Sequence, residues 1–220
     1  MKKLLYTLAV LISALLLIAT WFTWIPFNMI EMLGFVSGGW TVWLTVKENV
    51  WNWPIGIANS AFFLVLFLRS GLYADSGLQV FYIVLGLLGW YWWLYGGKDR
   101  TQLNVQHASA KTLIALAAII MIATWPFAIY LRSIQDAAPF LDALTTVLSL
   151  VAQYLLTKKY IENWYIWMFV DVIYIGLYIY KQLNLTAVLY FIFLCMCVRG
   201  FIEWRQTLHS STTPEHNGYA

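Results

Sequence analysis

The sequence has 220 residues, of which 62% are hydrophobic and 10% are charged, whereas about 25% of the residues in an ordinary soluble domain are charged. The formal net charge of +3 is small and is spread over the connections between apolar segments, so it indicates membrane topology and not a nucleic-acid-binding surface. This composition excludes a chain built mainly for water, and it leaves no length for a separate soluble domain.

Apolar segments long enough to cross a bilayer follow one another along the chain. A helix rises about 1.5 Å per residue, so it needs about 20 residues to cross roughly 30 Å of hydrocarbon. We predict eight such spans, at residues 4–24, 27–45, 50–68, 75–95, 113–131, 138–156, 162–180 and 185–204. The predicted fold class is therefore an all-α integral membrane protein of eight transmembrane helices, embedded in the lipid bilayer.

The two ends of the chain carry separate signals. Lys2 and Lys3 precede a leucine-rich run, a pattern that signal peptides share with membrane anchors. The long run, with no small-x-small cleavage site before the second span, favours an anchor helix over residues 1–26. Beyond Trp204 the chain is polar, and we expect a disordered cytoplasmic tail over residues 206–220.

Basic residues are distributed unevenly between the two sides of the predicted bundle. If the amino terminus is cytoplasmic, only Arg69, Arg132 and Lys181 of the thirteen Lys and Arg residues fall on the outer side. Cytoplasmic loops of membrane proteins carry an excess of Lys and Arg. We therefore expect both termini in the cytoplasm and a location in the bacterial inner membrane.

A shift of 111 residues aligns the chain with itself without gaps. It pairs Lys47 with Lys158, Asn52 with Asn163, Trp53 with Trp164, Gly89 with Gly200 and Trp93 with Trp204. We predict a first three-helix repeat (27–97), a loop and linker helix (98–137) and a second repeat (138–205). One linker helix makes the two triplets parallel, and transporters with parallel repeats hold their substrate near the midplane where the halves meet. A duplicated scaffold without a cavity is the alternative.

Span seven carries the most specific pattern. Trp164, Trp167, Asp171, Tyr174 and Tyr178 are spaced by 3, 4, 3 and 4 residues, so they share one helix face. A carboxylate at mid-span costs about 3 kcal/mol or more if it faces lipid, so Asp171 is expected to face the bundle interior. The indoles are suited to stacking on a flat, cationic ring. The alternative is an interfacial aromatic belt or plain core packing.

Polar residues on other spans are expected to complete a pocket. Span six carries a stripe whose hydroxyls and amide suit a polyol, although such residues also make interhelical hydrogen bonds. Spans three and four contribute polar groups from the first repeat. The predicted substrate-binding residues are Trp167, Asp171, Trp164, Tyr174, Gln153, Ser149, Asn59, Gln79 and Tyr82.

Catalysis, metal binding and a cofactor have no support in the sequence. The three histidines lie in a loop and in the tail without ligand spacing, and Cys195 and Cys197 lie inside an apolar span, where packing is the expected role. The sequence has no phosphate-binding glycine loop and no nucleophile paired with a base. We expect a protein that is not an enzyme and that does not couple transport to nucleotide hydrolysis.

Three stretches carry a family resemblance: "TKKYIENWYIWMFVDVIYIGLYIYKQLNLTAVLY", "LYADSGLQVFY" and "GWYWWLYGG". Through them residues 27–205 resemble the Pnu family of vitamin transporters, most specifically in "ENW" and the Trp-x-x-x-Asp that follows. The resemblance implies triplet repeats like those of SWEET proteins and facilitated diffusion of the vitamin. It also implies trapping of the vitamin by a cytosolic kinase and a homotrimer in which each protomer has its own pathway.

Nicotinamide riboside, an NAD precursor, is the substrate that this resemblance implies first. Trp167 is similar in position to the tryptophan that packs on the nicotinamide ring, and Asp171 stands where nicotinamide riboside transporters carry asparagine. Relatives carry thiamine or riboflavin, and a carboxylate can bind the aminopyrimidine of thiamine by charge-assisted hydrogen bonds. Thiamine or riboflavin is therefore the alternative within the family. A non-transporting membrane scaffold or binding subunit is the alternative of another class.

Overall fold

The computed structural model describes residues 2–25, 29–69, 73–136, 138–180 and 184–212. These residues form eight α-helices and one short 3₁₀ turn, Lys98–Arg100. In chain order the helices are α1 (Lys2–Trp21), α2 (Met29–Val46), α3 (Asn52–Arg69), α4 (Tyr73–Tyr95), α5 (Ala110–Ser133), α6 (Pro139–Thr157), α7 (Asn163–Tyr180) and α8 (Asn184–Thr212). The all-α prediction is confirmed, and each predicted span overlaps one helix.

Several helices have the dimensions and composition of membrane spans. Among the described residues, four stretches are long and apolar enough to cross a bilayer: Ser76–Tyr95, Ala110–Ser133, Pro139–Thr157 and Ala187–Ser210. Tyr6–Trp21 and Met32–Val46 are apolar but shorter. On α5, Ile114, Met121 and Ile122 are each at least 70% exposed. A surface of this kind is suited to contact with acyl chains.

The last helix is longer than the predicted eighth span. α8 continues to Thr212, so the prediction of a disordered tail from residue 206 is wrong for residues 206–212. This stretch contains no glycine or proline, and the Thr207 hydroxyl donates to Glu48 Oε1 at 2.9 Å, which ties the extension to the bundle. The remaining tail, 213–220, lies outside the described residues, as does Lys181.

The helices pack in two groups of three. In the first group α2 contacts α3 and α3 contacts α4, and in the second α6 contacts α7 and α7 contacts α8. Between the groups, α2 packs against α8 and α4 packs against α6, while α5 packs on α6 and α1 on α2. Under the 111-residue shift, each contact within the first group has a counterpart in the second, and the two contacts between the groups exchange places.

Four indoles, the tryptophan cluster, join the two groups at one end of the bundle. Trp53 meets Trp93 edge-to-face at 5.4 Å between ring centroids, and Trp164 meets Trp204 in the same way at 5.3 Å. Trp93 and Trp204 then contact each other at 5.9 Å. Trp164 is 1% exposed and Trp204 is fully buried. Edge-to-face contacts of this kind add stability beyond the burial of apolar area.

Hydrogen bonds from the tryptophan cluster cross between the groups. Trp93 Nε1 donates to the backbone carbonyl of Leu156, and Trp204 Nε1 donates to that of Thr45, both at 3.1 Å. Residue 156 is residue 45 shifted by 111, so the same bond is made twice. Each copy joins one group of helices to the other.

Charged side chains close the same end of the bundle. The Lys47 ammonium lies 2.6 Å from Glu203, and that of Lys159 lies 3.0 Å from Glu48. Lys158 places its amine 3.2 Å from the centroid of the Trp92 ring, and burial there lowers the pKa of this amine from its usual value. These charged side chains therefore add to the contacts between the two groups of helices at this end.

Candidate functional site

A cavity of about 380 Å³ lies between the two groups of helices, next to the tryptophan cluster. This volume falls in the range of roughly 300–1,000 Å³ that is typical of small-molecule sites. Six helices, α2, α3, α4, α6, α7 and α8, contribute to its wall. The lining residues are Gly38, Thr41, Val42, Thr45, Asn52, Trp53, Gly56, Ile57, Asn59, Ser60, Tyr82, Gly86, Ser149, Gln153, Leu156, Asn163, Trp164, Trp167, Val170, Asp171, Tyr174, Tyr190, Phe193 and Cys197.

Most residues predicted from the sequence come together at this cavity. The wall includes Trp167, Asp171, Trp164, Tyr174, Gln153, Ser149, Asn59 and Tyr82. Gln79 is the exception, because it does not line the cavity although it precedes Tyr82 by one turn on α4. The three residues between them correspond to a rise of about 4.5 Å along the helix, and the cavity meets α4 only from Tyr82 to Gly86.

Asp171 places a carboxylate in the wall between the two ends of α7. It is 5% exposed, and its Oδ2 accepts a hydrogen bond from Cys197 Sγ at 3.5 Å. A thiol is a weak donor, whereas an ionised carboxylate can accept about four hydrogen bonds. The carboxylate therefore keeps most of its acceptor capacity for a donor or a cation that enters the cavity.

Trp167 supplies an aromatic surface one turn before Asp171. Its ring is half-buried, packs against the apolar core beside the tryptophan cluster and lines the cavity. The residue that corresponds to Trp167 in the first half is Gly56, which also lines the cavity. The two halves therefore differ here, since one presents an indole and the other presents no side chain. An indole beside open space is suited to stacking on a flat ring.

Tyrosines close the other end of the cavity. The ring of Tyr190 lies 4.9 Å from that of Tyr174 and 5.2 Å from that of Tyr178. Tyr178 shares the predicted face of α7 but packs in this group and does not line the cavity. Tyr82 on α4 and Ser149 on α6 both line the cavity.

Sixteen of the lining residues were not predicted as site residues from the sequence, and they include Trp53, Asn163, Tyr190 and Cys197. The internal repeat held a usable signal for Trp53, because it corresponds to the predicted Trp164. Cys197 gave no comparable signal, because a cysteine within an apolar span is expected equally from simple packing. Cys195 and Cys197 are both free thiols, and Cys195 is exposed whereas Cys197 is buried.

Two glycines allow the buried indoles to take their positions. A methyl group built on Gly89 would overlap the ring of Trp53, and one built on Gly200 would overlap the ring of Trp164. These glycines are residues 89 and 200 of α4 and α8, which again differ by 111. The close approach of each indole to a helix backbone therefore requires glycine at both positions.

Known transporters are similar to this chain along most of its length. The nicotinamide riboside transporter PnuC of Escherichia coli is 24% identical over 203 residues, covering 80% of this chain and 85% of the relative. The riboflavin/roseoflavin transporter RibM of Streptomyces davaonensis is 24% identical over 180 residues, covering 79% and 83%. A crystal structure of the vitamin B3 transporter PnuC has a TM-score of 0.65 at 23% identity and covers 90% of this chain and 92% of its own.

A family model covers the two helix groups and the cavity between them. The model described as "Nicotinamide mononucleotide transporter" matches residues 28–206, which include all of α2 to α7 and most of α8. The likeness to the PnuC crystal structure shows that this fold is the one that a solved transporter adopts. The chain belongs to the nicotinamide mononucleotide transporter family.

Proposed function

We propose that this protein, a multi-pass protein of the bacterial inner membrane, takes up nicotinamide riboside by facilitated diffusion. One observation carries the proposal: in a chain of this family, a cavity of nucleoside size contains Trp167 and, one turn further along α7, the buried Asp171. The pyridinium ring stacks on the indole, and the carboxamide donates to the carboxylate. Relatives named as nicotinamide riboside transporters support this choice of substrate. Membership of a transporter family implies transport and not catalysis.

The architecture that we propose is an amino-terminal helix followed by two parallel three-helix repeats, 27–97 and 138–205, joined through the linker helix α5. All eight helices cross the membrane in this arrangement, and its two triplet repeats around a linker helix are like those of SWEET proteins. The matched helix contacts and the crossed hydrogen bonds of the tryptophan cluster support it. The cavity then lies where the halves meet, as in other transporters with parallel repeats.

The orientation that we propose places both termini in the cytoplasm, on the strength of the uneven distribution of Lys and Arg. The tryptophan cluster then lies at the cytoplasmic end of the cavity and the tyrosines at the outer end. The resemblance to the Pnu family supports a homotrimer and a cytosolic kinase that traps the vitamin. Trapping supplies the direction of net flux, because a facilitator by itself only equalises concentrations.

Uptake into liposomes tests the mode of transport. Purified protein in liposomes is expected to equilibrate labelled nicotinamide riboside between the two sides without concentrating it, because the sequence has no nucleotide-binding motif. The measurement is internal label against time, with and without an imposed proton or sodium gradient. Accumulation above the external concentration would contradict the proposal. Tight binding without any uptake would favour the binding-subunit alternative.

Asp171 favours thiamine as the second candidate, since its carboxylate suits an aminopyrimidine donor on a cationic ligand. Asp171→Asn keeps the size of the side chain and removes its charge. If thiamine is the cargo, its affinity is expected to fall about tenfold, or about 1.4 kcal/mol. If nicotinamide riboside is the cargo, its affinity is expected to stay nearly unchanged, because its carboxamide can donate to the amide oxygen of asparagine as it does to the carboxylate. Calorimetry of the purified protein with nicotinamide riboside, thiamine and riboflavin distinguishes the three vitamins.

A further inference from the structure

Four polar atoms of the cavity wall have no hydrogen-bond partner among the described residues. They are the indole Nε1 atoms of Trp53 and Trp164 and the amide Oδ1 atoms of Asn52 and Asn163. All four side chains line the cavity and are at most 3% exposed. Buried donors and acceptors are paired in nearly all native structures, so a group of four without partners at one site indicates a missing ligand.

The orientation of both amides is fixed by their other contacts. Asn52 Nδ2 donates to Thr45 Oγ1 at 2.9 Å. The Thr45 hydroxyl in turn donates its own proton to the backbone carbonyl of Thr41. Asn163 Nδ2 donates to the carbonyl of Tyr160, which can only accept. In both residues one N–H of the amide is therefore used inside the protein, and the carbonyl oxygen has no partner among the described residues.

Each half of the protein thus offers one free acceptor beside one free donor on adjacent residues. An amide oxygen accepts only, and an indole N–H donates only. A hydroxyl group meets both needs, because it donates its proton to the amide oxygen while its lone pairs accept from the indole. A carboxylate or an ammonium group would satisfy only one member of each pair.

We propose that the two Asn-Trp pairs, Asn52–Trp53 and Asn163–Trp164, form a hydroxyl-binding floor for the polyol part of the cargo. In nicotinamide riboside the ribose supplies these hydroxyls, while the ring binds at Trp167 and Asp171. The proposal rests on the proposed function, since it takes a ring-bearing polyol as the cargo. It also assigns Trp164 a donor role in place of the stacking role predicted from the sequence. Its ring is already held between Gly200 and Trp204.

The test compares a ligand that has the ribose with one that lacks it. Nicotinamide riboside and N-methylnicotinamide share the pyridinium carboxamide ring, and the second has a methyl group in place of the sugar. Trp53→Phe and Trp164→Phe each remove one indole N–H while they keep an aromatic ring. Each variant is expected to bind nicotinamide riboside about tenfold more weakly than the wild type and to bind N-methylnicotinamide equally well.

Trp43→Phe is the matched control. Trp43 also has a buried Nε1 without a partner among the described residues, but it does not line the cavity. This variant is expected to bind both ligands as the wild type does. An equal loss of both ligands in the Trp53 and Trp164 variants, or a loss of neither, would overturn the proposal.

Ligand analogues keep the proposal testable if a tryptophan variant does not fold. The wild type is expected to bind the 2′-deoxy or the 3′-deoxy analogue of nicotinamide riboside about tenfold more weakly than the parent. Wild-type affinity for both analogues equal to that for nicotinamide riboside would contradict the proposed hydroxyl-binding floor. Failure of the wild type to bind nicotinamide riboside would overturn the proposed function alone, and riboflavin against lumiflavin, which lacks the ribityl chain, then tests the floor. Binding of thiamine as the sole vitamin would overturn both proposals.

Discussion

Trp167→Ala is expected to weaken binding of nicotinamide riboside by about 1–3 kcal/mol, because it removes both apolar contact and a cation–π interaction. Such a loss corresponds to roughly a five- to 150-fold higher dissociation constant. The corresponding residue of the first half is Gly56, so that position offers no second ring to replace the indole. Calorimetry of the purified variant in detergent measures the change directly.

Trp125→Ala is the control for this prediction. Trp125 lies on α5, is 66% exposed and does not line the cavity, so its loss is expected to leave the affinity unchanged. Both variants are expected to remain folded, which size-exclusion chromatography verifies. Wild-type affinity for every candidate vitamin in Trp167→Ala would show that the cargo ring lies elsewhere, and the site assignment would then be withdrawn.

Gly200→Ala is expected to lower the stability of the protein by about 1–3 kcal/mol, the usual cost of overpacking a core. The added methyl would overlap the ring of Trp164, which is 1% exposed and packs against the fully buried Trp204. Within a helix, alanine is otherwise favoured over glycine by about 1 kcal/mol. A lower midpoint of thermal unfolding in detergent would therefore report the steric overlap against an opposing intrinsic preference.

Gly176→Ala provides the comparison for this second prediction. Gly176 lies inside α7, and a methyl group there meets no atom of the described chain within 4 Å. This variant is expected to unfold at or above the wild-type midpoint, because only the helix preference acts. Equal midpoints for Gly176→Ala and Gly200→Ala would contradict the packing of Trp164 against Gly200.

The helices and the faces that they turn toward the cavity were predictable because both follow from local periodicity. The spacing of Trp164, Trp167, Asp171 and Tyr174 places them on one face of α7, and the cost of a carboxylate in lipid points that face inward. The 111-residue shift extends this prediction from the second half of the chain to the first. It relates Trp53 to Trp164, and the structure places both in the wall of one cavity.

Local periodicity does not predict at which level along the bundle axis a residue meets the neighbouring helices. Gln79 shares a helix with Tyr82 but lies beyond the level at which α4 meets the cavity. The contact of Cys197 with Asp171 joins α8 to α7 across 26 residues, and no spacing rule predicts it. The extension of α8 depends on Thr207 reaching Glu48, which is a long-range contact of the same kind.

The crossed bonds of the tryptophan cluster constrain some positions of the two halves more than others. Their donors are side chains, Trp93 and Trp204, but their acceptors are the backbone carbonyls of residues 45 and 156. Any residue can present a carbonyl, so these two bonds do not constrain the side chains at positions 45 and 156, which are threonine and leucine. Positions 93 and 204, in contrast, must keep the indole N–H that donates each bond. Loss of the indole at position 93 or at position 204 would break one of the two bonds between the helix groups. The remaining bond in the other half could not replace it.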